Sequence, residues 1–177
     1  MERLSVHEYF RLPETMRPME LVYGVVREPA APRYGHQSIV TRLTRMLDIH
    51  VEEYRSGRVC VSPIDVVLDE PAALVVQPDL IFVSNERLGI IRDRIWGPPD
   101  LVVEVLSPRT AARDRTIKLE WYRRYGVREE WLVDYRRRSV EVVDLQSVTV
   151  PRLFVGSEPM RSAVLPAWNV PVEQILA

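Results

Sequence analysis

The chain has 177 residues, of which 46% are hydrophobic and 28% are charged, and its formal net charge is −1. This length suits one domain with a sizeable core, so we expect a single domain over residues 1–177. No apolar run approaches the roughly 20 residues that a membrane-spanning helix needs, and the N-terminus lacks a signal-peptide core, so we expect a cytoplasmic protein. Cys60 is the only cysteine, which excludes an internal disulfide and a cysteine zinc cluster.

The first third of the chain predicts a short helix, two strands and a long helix. The segment "SVHEYFRLP" predicts a short helix that begins after Ser5, and "MELVYGVVREP" predicts two short strands about a tight turn at Gly24. Apolar residues then recur at helical spacing through residues 36–54, with Tyr54 on the apolar face. Gly57 marks the predicted end of this helix.

Two strands interrupted by proline follow the long helix. The first, "RVCVSPIDVVLD", breaks at Pro63, and the second, "LVVQPDLIFV", breaks at Pro78 immediately before Asp79. Proline cannot donate a ladder hydrogen bond, so its place in a strand indicates an edge or a bulge. Bulges often redirect side chains at active sites, which makes Asp79 a candidate functional residue.

The second half of the chain predicts a strand, a helix and a hairpin, in that order. Residues 101–106 form an apolar strand that contains one acid, Glu104. "SPRT" then begins a helix, with Ser107 as its capping residue, and Gly126 ends it. "REEWLVDYRRRSVEVVDL" has alternating apolar residues on both sides of "YRRR", which is typical of a hairpin. The elements predict a mixed α/β layer fold with a mostly antiparallel sheet at its start.

Asp79 and Glu104 stand in apolar strands, where a carboxylate without a partner would be costly to bury. If the two strands are neighbours, about 4.8 Å apart, the two carboxylates can converge. Oxygen ligands of this kind suit Mg²⁺ or Mn²⁺. Asp100 shares a face with Glu104 but lies about 13 Å away along the strand, too far to bind the same ion. The alternative is structural, with Glu104 paired to an arginine and Asp79 capping a turn.

The helix after Glu104 places Asp114, Lys118 and Tyr122 on one face, because they recur every four residues. In the functional interpretation, Lys118 reaches back to Glu104 and supplies a positive charge beside a metal ion, where it orients water or neutralises charge on phosphate. In the alternative, Asp114 and Lys118 form an ordinary helical ion pair, worth about a few tenths of a kcal/mol.

Basic residues concentrate around the same helix, although the whole chain is nearly neutral. Residues 109–128 contain seven basic side chains against two acidic ones, and "RRR" follows at residues 136–138. A locally basic surface can bind phosphates, and the alternative is a solvated helix face next to a charged hairpin turn. The candidates for contact with nucleic acid are Arg109, Arg113, Arg123 and Arg124.

Several segments resemble a known protein family. Pro78 and Asp79, followed by Glu104 in an apolar strand, resemble the metal motif of the PD-(D/E)XK nuclease superfamily. More narrowly, "MELVYG", "PRYGHQ", "QPDLIFV" and "VVEVLSPRTAARDRTIKLEWYRRYGVREEWLVD" resemble the bacterial Uma-type family of restriction-endonuclease-like proteins, long classed as a domain of unknown function. The resemblance extends from Glu20 to Leu145, most of the chain.

The resemblance implies an α/β fold with a restriction-endonuclease-like core, in which helices flank a mixed central sheet. It places that core at residues 20–145 and leaves residues 146–177 as a C-terminal extension. It also implies a divalent ion, Mg²⁺ or Mn²⁺, with Asp79 and Glu104 as its ligands.

The resemblance further implies roles for residues around the metal ion. The superfamily lysine normally stands two residues after the glutamate, where this chain has Leu106, and the family pattern implies Lys118 as its replacement. Glu20 matches the family's early glutamate and completes the metal site through bound water. His36 falls on a family position, and its alternative role is to cap or pack a helix start. The candidates for support of the metal or substrate are His36, Asp114 and Tyr122.

Three functions are compatible with these features. The first is a metal-dependent endonuclease that hydrolyses phosphodiester bonds of DNA, with Asp79, Glu104 and Lys118 as catalytic residues. The second is a nucleic-acid-binding or regulatory module that kept the fold and lost the chemistry. The third is a structural or toxin–antitoxin-like interaction protein with an ion-pair network at Glu104. Cleavage of both strands of a duplex usually needs two sites, so we expect a homodimer that forms through the apolar tail from Pro151.

Overall fold

The computed structural model describes residues 3–13, 17–107, 114–147 and 150–177. Their strands are β1 (Glu20–Val22), β2 (Val25–Arg27), β3 (Gly57–Val61), β4 (Val66–Asp69), β5 (Leu74–Val76), β6 (Leu80–Ser84), β7 (Ile95–Trp96), β8 (Leu101–Val105), β9 (Glu129–Asp134), β10 (Ser139–Asp144) and β11 (Arg152–Val155). Their α-helices are α1 (Val6–Tyr9), α2 (Tyr34–Tyr54), α3 (Leu119–Tyr125) and α4 (Val172–Ile175). A 3-10 helix covers Asn85–Ile90, and a π-helical turn over Asp114–Lys118 leads directly into α3.

The strands form two sheets. The central sheet has the order β11-β10-β9-β8-β6-β3, and the second sheet has the order β2-β1-β5-β4-β7. Both sheets are mixed, because β8 and β9 are parallel, as are β4 and β7, while the remaining neighbours are antiparallel. The predicted mixed α/β fold is confirmed.

The prolines mark places where the chain changes sheets. Val61 in β3 pairs with Leu80 in β6 in the central sheet, whereas Val66 in β4 pairs with Val76 in β5 in the second sheet. Pro63 and Pro78 therefore lie where a two-stranded ribbon leaves one sheet for the other. Each proline thus separates two strands instead of interrupting one. The predicted edge holds for Pro63, because β3 is an edge strand of the central sheet, whereas β5 and β6 on either side of Pro78 are interior strands. The crossing leaves Asp79 at the beginning of β6, beside the main chain of β8.

Helix α2 covers one face of the central sheet. Its buried residues recur at helical spacing and join the larger core cluster: Ile39, Val40, Leu43, Leu47 and Val51. The helix ends at Tyr54, and its capping residue is Arg55, in a left-handed conformation with φ of 47°, and not Gly57 as predicted. Gly57 is the first residue of β3, where an added Cβ would lie 2.1 Å from the Val83 carbonyl oxygen. Tyr54, predicted on the apolar face, is 47% exposed.

Helix α3 and the β9–β10 hairpin follow the predicted order. Gly126 ends α3 in a left-handed conformation with φ of 93°, and the hairpin closes with Asp134 opposite Ser139. The described part of the helix begins at Asp114. The predicted start after Ser107 falls on residues outside the described ranges.

The tail packs against the central sheet of its own chain. Four of its large apolar side chains are almost completely buried in the larger core cluster: Met160, Leu165, Trp168 and Ile175. The buried carboxylate of Glu129 holds the tail, because it accepts hydrogen bonds from the Ser162 hydroxyl at 2.6 Å and the Ala163 amide at 2.6 Å. None of the helices within the described ranges is long and apolar enough to span a bilayer.

Candidate active site

Three acids from three strands frame the candidate site. Glu104 is the fourth residue of β8, Asp79 immediately precedes β6, and Glu20 begins β1 in the second sheet. Because Leu80 pairs with Val103, Asp79 and Glu104 occupy the next pair of positions along the two neighbouring strands. The ribbon crossing at Pro78 therefore brings the end of the central sheet close to the first strand of the second sheet.

Lys118 joins two of these acids. Its Nζ atom lies 2.9 Å from Glu104 Oε1 and 3.0 Å from Glu20 Oε1. All three residues are buried, with Glu20 1%, Glu104 4% and Lys118 6% exposed. Burial of two carboxylates is expensive unless a cation and hydrogen bonds compensate them. The two carboxylates share the ammonium group of Lys118.

Tyr122 also contacts Glu104. Its hydroxyl donates a hydrogen bond of 2.6 Å to Glu104 Oε1, one turn of helix after Lys118. Burial, followed by the negative charge of Glu104, raises the pKa of Tyr122 well above its ordinary value. Tyr122 therefore stays protonated at neutral pH and acts as a fixed donor.

Asp79 is held by the backbone of β8 and by α2. Its Oδ2 atom accepts a hydrogen bond of 2.7 Å from the amide of Val105, the residue after Glu104. His36 Nε2, in the first turn of α2, lies 3.2 Å from the same oxygen. The Asp79 side chain is 19% exposed, so it is more accessible than the buried Glu20 and Glu104.

Lys118 is the only lysine in the chain, and the rest of its 24 basic residues are arginines. The two side chains are not interchangeable, because lysine ends in a compact ammonium group and arginine in a planar fork. All the other basic residues counted here are arginines, and the single lysine places its ammonium group between Glu20 and Glu104. This compositional signal is visible in the sequence alone and was not used there.

Two supporting residues were missed by the sequence analysis. Gln77 accepts a hydrogen bond from the Met19 amide at 3.2 Å and donates to Asp65 Oδ1 at 2.9 Å, which fixes the chain before Glu20 and before Asp79. Glu130 is fully buried on β9, and its negative charge contributes to the raised pKa of Tyr122. The adjacent acids in "REEWLVD" were the available signal for Glu130.

Asp100 lies outside the cluster. It is fully buried at the opposite end of β8, where it accepts a hydrogen bond of 2.7 Å from the Ser84 amide. Arg128 Nη1 lies 3.1 Å and Arg87 Nη1 lies 3.5 Å from Asp100 Oδ1. Asp100 is therefore a structural ion-pair centre that joins β8 to its neighbouring loops.

The remaining predicted residues lie in the part of the chain between β8 and β9. Asp114 begins the π-helical turn that leads into α3. Arg123 and Arg124 are exposed at the end of α3. Arg109 and Arg113 lie outside the described residues.

Comparison with known proteins relates this arrangement to a family. The family model of Uma2, described as "Putative restriction endonuclease", matches residues 6–173. A solved structure described as a putative nuclease belonging to DUF820 from Anabaena variabilis ATCC 29413 aligns with a TM-score of 0.83 and 17% identity, over 98% of this chain and 97% of that one. At this identity the likeness shows the fold alone. The search of curated proteins gave no match. The chain belongs to the Uma2 family of putative restriction endonucleases, and it has a restriction-endonuclease-like fold.

Proposed function

We propose that the protein hydrolyses phosphodiester bonds of DNA with the help of a divalent metal ion, Mg²⁺ or Mn²⁺. The observation that carries the proposal is the position of the single lysine, with its ammonium group 2.9 Å from Glu104 and 3.0 Å from Glu20. Asp79 lies at the start of the neighbouring strand β6 and accepts a hydrogen bond from the amide of Val105. This combination of acids and one ammonium group suits the stabilisation of charge on a transferring phosphoryl group.

The donor atoms fit a magnesium-type ion. Within the described ranges, no group of three or more His, Cys, Asp or Glu side chains is arranged to hold a metal ion. Mg²⁺ does not require such a cage, because it is usually held by one or two carboxylates together with waters and phosphate oxygens. We assign Asp79 and Glu104 as the ligands, with Glu20 bound through water.

The chain's own residues then have distinct tasks. A bound divalent ion polarises a phosphoryl oxygen and lowers the pKa of bound water. The hydrogen bond from Tyr122 fixes the orientation of the Glu104 carboxylate, and the Val105 amide fixes Asp79. Lys118 neutralises negative charge that develops on the phosphate. His36, 3.2 Å from Asp79, orients that carboxylate toward the substrate side.

A second candidate function is a nucleic-acid-binding module that kept the fold and lost the chemistry. The observation in its favour is that Lys118 already contacts both Glu20 and Glu104, which is also how a purely structural ion-pair network would be built. Leu106, at the usual position of the superfamily lysine, is 3% exposed and packs in the core. The two candidates differ only in whether cleavage occurs.

The test is a cleavage assay with purified protein on plasmid and oligonucleotide DNA, with Mg²⁺, with Mn²⁺ and with chelator. We expect nicked or linear product only with metal ion, and we expect Asp79→Asn and Glu104→Gln each to abolish it. Asp100→Asn is the matched control, because it neutralises a buried acid that immediately precedes β8 and lies outside the cluster. Folding of each variant is checked by circular dichroism. Absence of cleavage by folded wild-type protein on every substrate would favour the binding module.

A further inference from the structure

We propose that the turn of the β9–β10 hairpin, residues 136–138, is a phosphate-binding element that holds duplex DNA against the candidate site. We call these three arginines the basic turn. The proposal rests on the proposed function, because it assigns the substrate-binding surface of that same site. It differs from the sequence-based expectation, which assigned nucleic-acid contacts to arginines of the helix that follows β8.

The fold places the basic turn at the same end of the sheet as the acids. β8 and β9 are parallel, with Glu104 beside Leu132. The C-terminal ends of both strands therefore lie at the same end of the sheet. Tyr135, the residue before the turn, packs on the start of α2, where a Cβ added to Gly35 would lie 3.2 Å from the Tyr135 ring. The next residue of α2 is His36, which contacts Asp79. An unbroken series of contacts therefore joins the turn to the site.

The spacing suits a polymer of phosphates. Arg136 is four residues beyond Leu132, so it lies at most about 13 Å from Glu104 along the strand direction. Successive nucleotides of one strand advance about 3.4 Å along a duplex, so this distance corresponds to about four nucleotides. A duplex that runs along the strand direction with its scissile phosphate at the carboxylates would therefore pass within reach of the long arginine side chains of the turn.

The basic turn keeps its positive charge available. Residues 136–138 are all exposed, and their side chains extend from a turn whose backbone amides at Arg136 and Arg137 are satisfied by Asp134 Oδ1, at 3.2 and 3.0 Å. Asp134 is also contacted by Arg115 at 3.5 Å and lies 3.8 Å from the 80% exposed Arg137 side chain. Arg138 donates to a neutral backbone carbonyl, that of Leu176, at 3.5 Å. One shared acid does not neutralise this cluster.

The start of α2 extends the same surface. Arg33 and Tyr34 are both exposed, and the Tyr34 side chain is 88% exposed, although large aromatic rings are usually at least partly covered. An exposed tyrosine beside arginines is a common feature of nucleic-acid surfaces, since arginines bind phosphate and aromatic rings stack on sugars or bases. Both residues directly precede Gly35, which lies against the Tyr135 ring, and Tyr135 directly precedes the basic turn.

The end of α3 is oriented differently. Arg123 and Arg124 follow Tyr122 on a helix that leads away from Glu104, and the chain then reaches Arg128, which pairs with Asp100 at the opposite end of β8. Arg123 and Arg124 are exposed, and together they carry the same charge as Arg136 and Arg137. It therefore provides a matched comparison for the basic turn.

The experiment measures binding of a fluorescent 20-base-pair duplex by anisotropy in chelator, across a series of salt concentrations. The variants are the double substitutions Arg136→Gln with Arg137→Gln, and Arg123→Gln with Arg124→Gln. For the basic turn we expect the slope of log affinity against log salt to fall by about 1.8, because each phosphate contact contributes about 0.9. For the α3 pair we expect less than half of that change.

The outcomes separate this proposal from the nuclease proposal. Wild-type protein that binds DNA through the basic turn but never cleaves it would refute the nuclease and leave the DNA-binding surface standing. Wild-type protein that cleaves DNA, with an unchanged salt slope in the basic-turn variant, would refute the surface and leave the nuclease standing. An α3 variant that loses as much slope as the basic-turn variant, or a wild type that does not bind the duplex, would also overturn the assignment. Thermal melts confirm that both double variants are folded.

Discussion

At the scale of single residues, the candidate site is built from charged side chains that are buried. Glu104 receives an ammonium and a hydroxyl on one oxygen, at 2.9 and 2.6 Å. The same ammonium group of Lys118 also contacts Glu20, so the two carboxylates share it. Buried charges of this kind are tolerated when each is paired and hydrogen-bonded, and removal of one partner is strongly destabilising.

Lys118→Ala tests this balance of charge. Removal of the ammonium leaves Glu20 and Glu104 buried without their cation, and we expect unfolding free energy to fall by about 3–5 kcal/mol in metal-free buffer. Millimolar Mn²⁺ should restore more stability to the variant than it adds to wild type, since the ion takes over compensation of the acids. Urea unfolding with and without Mn²⁺ measures both effects. A variant as stable as wild type in chelator would contradict the burial argument.

Tyr122→Phe tests the hydrogen bond to Glu104. The variant leaves a buried, charged acceptor without one donor, which we expect to cost about 1.5–3 kcal/mol at pH 7. Because burial raises the folded-state pKa of Tyr122 above the ordinary 10.0, its contribution is fully present below pH 10 and is lost as pH rises further. The variant should therefore lose less stability than wild type above pH 10 in urea unfolding. Tyr34→Phe is the control, because Tyr34 is 88% exposed.

At the scale of secondary-structure elements, local chemistry determined what could be predicted. The helix start at Ser5 was readable because Ser5 and Glu8 form a capping box, and the β9–β10 hairpin was readable from its alternation. The division of the proline-interrupted segments between two sheets was not readable, because strand pairing depends on distant partners such as Val61 with Leu80. Local spacing shows a break at proline but not where the chain goes next.

The candidate site shows the same division between local and distant information. The shared helical face of Lys118 and Tyr122 follows from four-residue spacing, whereas Glu20 entered only through resemblance to a family. Nothing near Glu20 in the sequence indicates that it meets Lys118, because the contact joins β1 of the second sheet to the helical segment that follows β8. Glu130 was overlooked for a related reason, since neighbouring acids on a strand do not reveal which face of the sheet is covered.

The pairing of β3 with β6 gives a test at this scale. A Cβ added at Gly57 would lie 2.1 Å from the Val83 carbonyl oxygen and 2.9 Å from Ser84 Cα, so Gly57→Ala must push β3 away from β6. We expect a loss of about 3 kcal/mol or more in urea unfolding. Gly89→Ala is the control, because nothing lies within 4 Å of its added Cβ. Equal stability of the two variants would show that β3 adjusts freely.

At the scale of the whole molecule, the tail is part of the central-sheet core. Its buried side chains, including Trp168 and Ile175, pack within the same chain, so most of the tail cannot provide the apolar dimer surface that the sequence suggested. Three apolar side chains near the sheet edge stay exposed: Val150 at 85%, Leu153 at 58% and Val155 at 49%. β11 is an edge strand of the central sheet, and exposed apolar edges favour pairing with another chain.

We accordingly propose a homodimer that forms through the edge at β11. Light scattering at micromolar concentration should report twice the 20.6 kDa of one chain, and Leu153→Glu should shift the protein toward the monomer. Ile49→Glu is the control, because Ile49 is an exposed apolar residue on α2, 54% exposed. A wild-type monomer, or dissociation by the control alone, would contradict this assembly.

The most direct test of the central claim is the thermal melting temperature of wild type and Asp79→Asn with and without Mn²⁺. Asp79 suits this test because its side chain is partly exposed, and asparagine can still accept the hydrogen bond from Val105. At a Mn²⁺ concentration about tenfold above the dissociation constant, binding adds about 1.4 kcal/mol, which corresponds to about 3–5 °C for a chain of this size. We expect this rise for wild type and little or none for Asp79→Asn. No rise in wild type, or an equal rise in the variant, would contradict a metal site at Asp79 and Glu104.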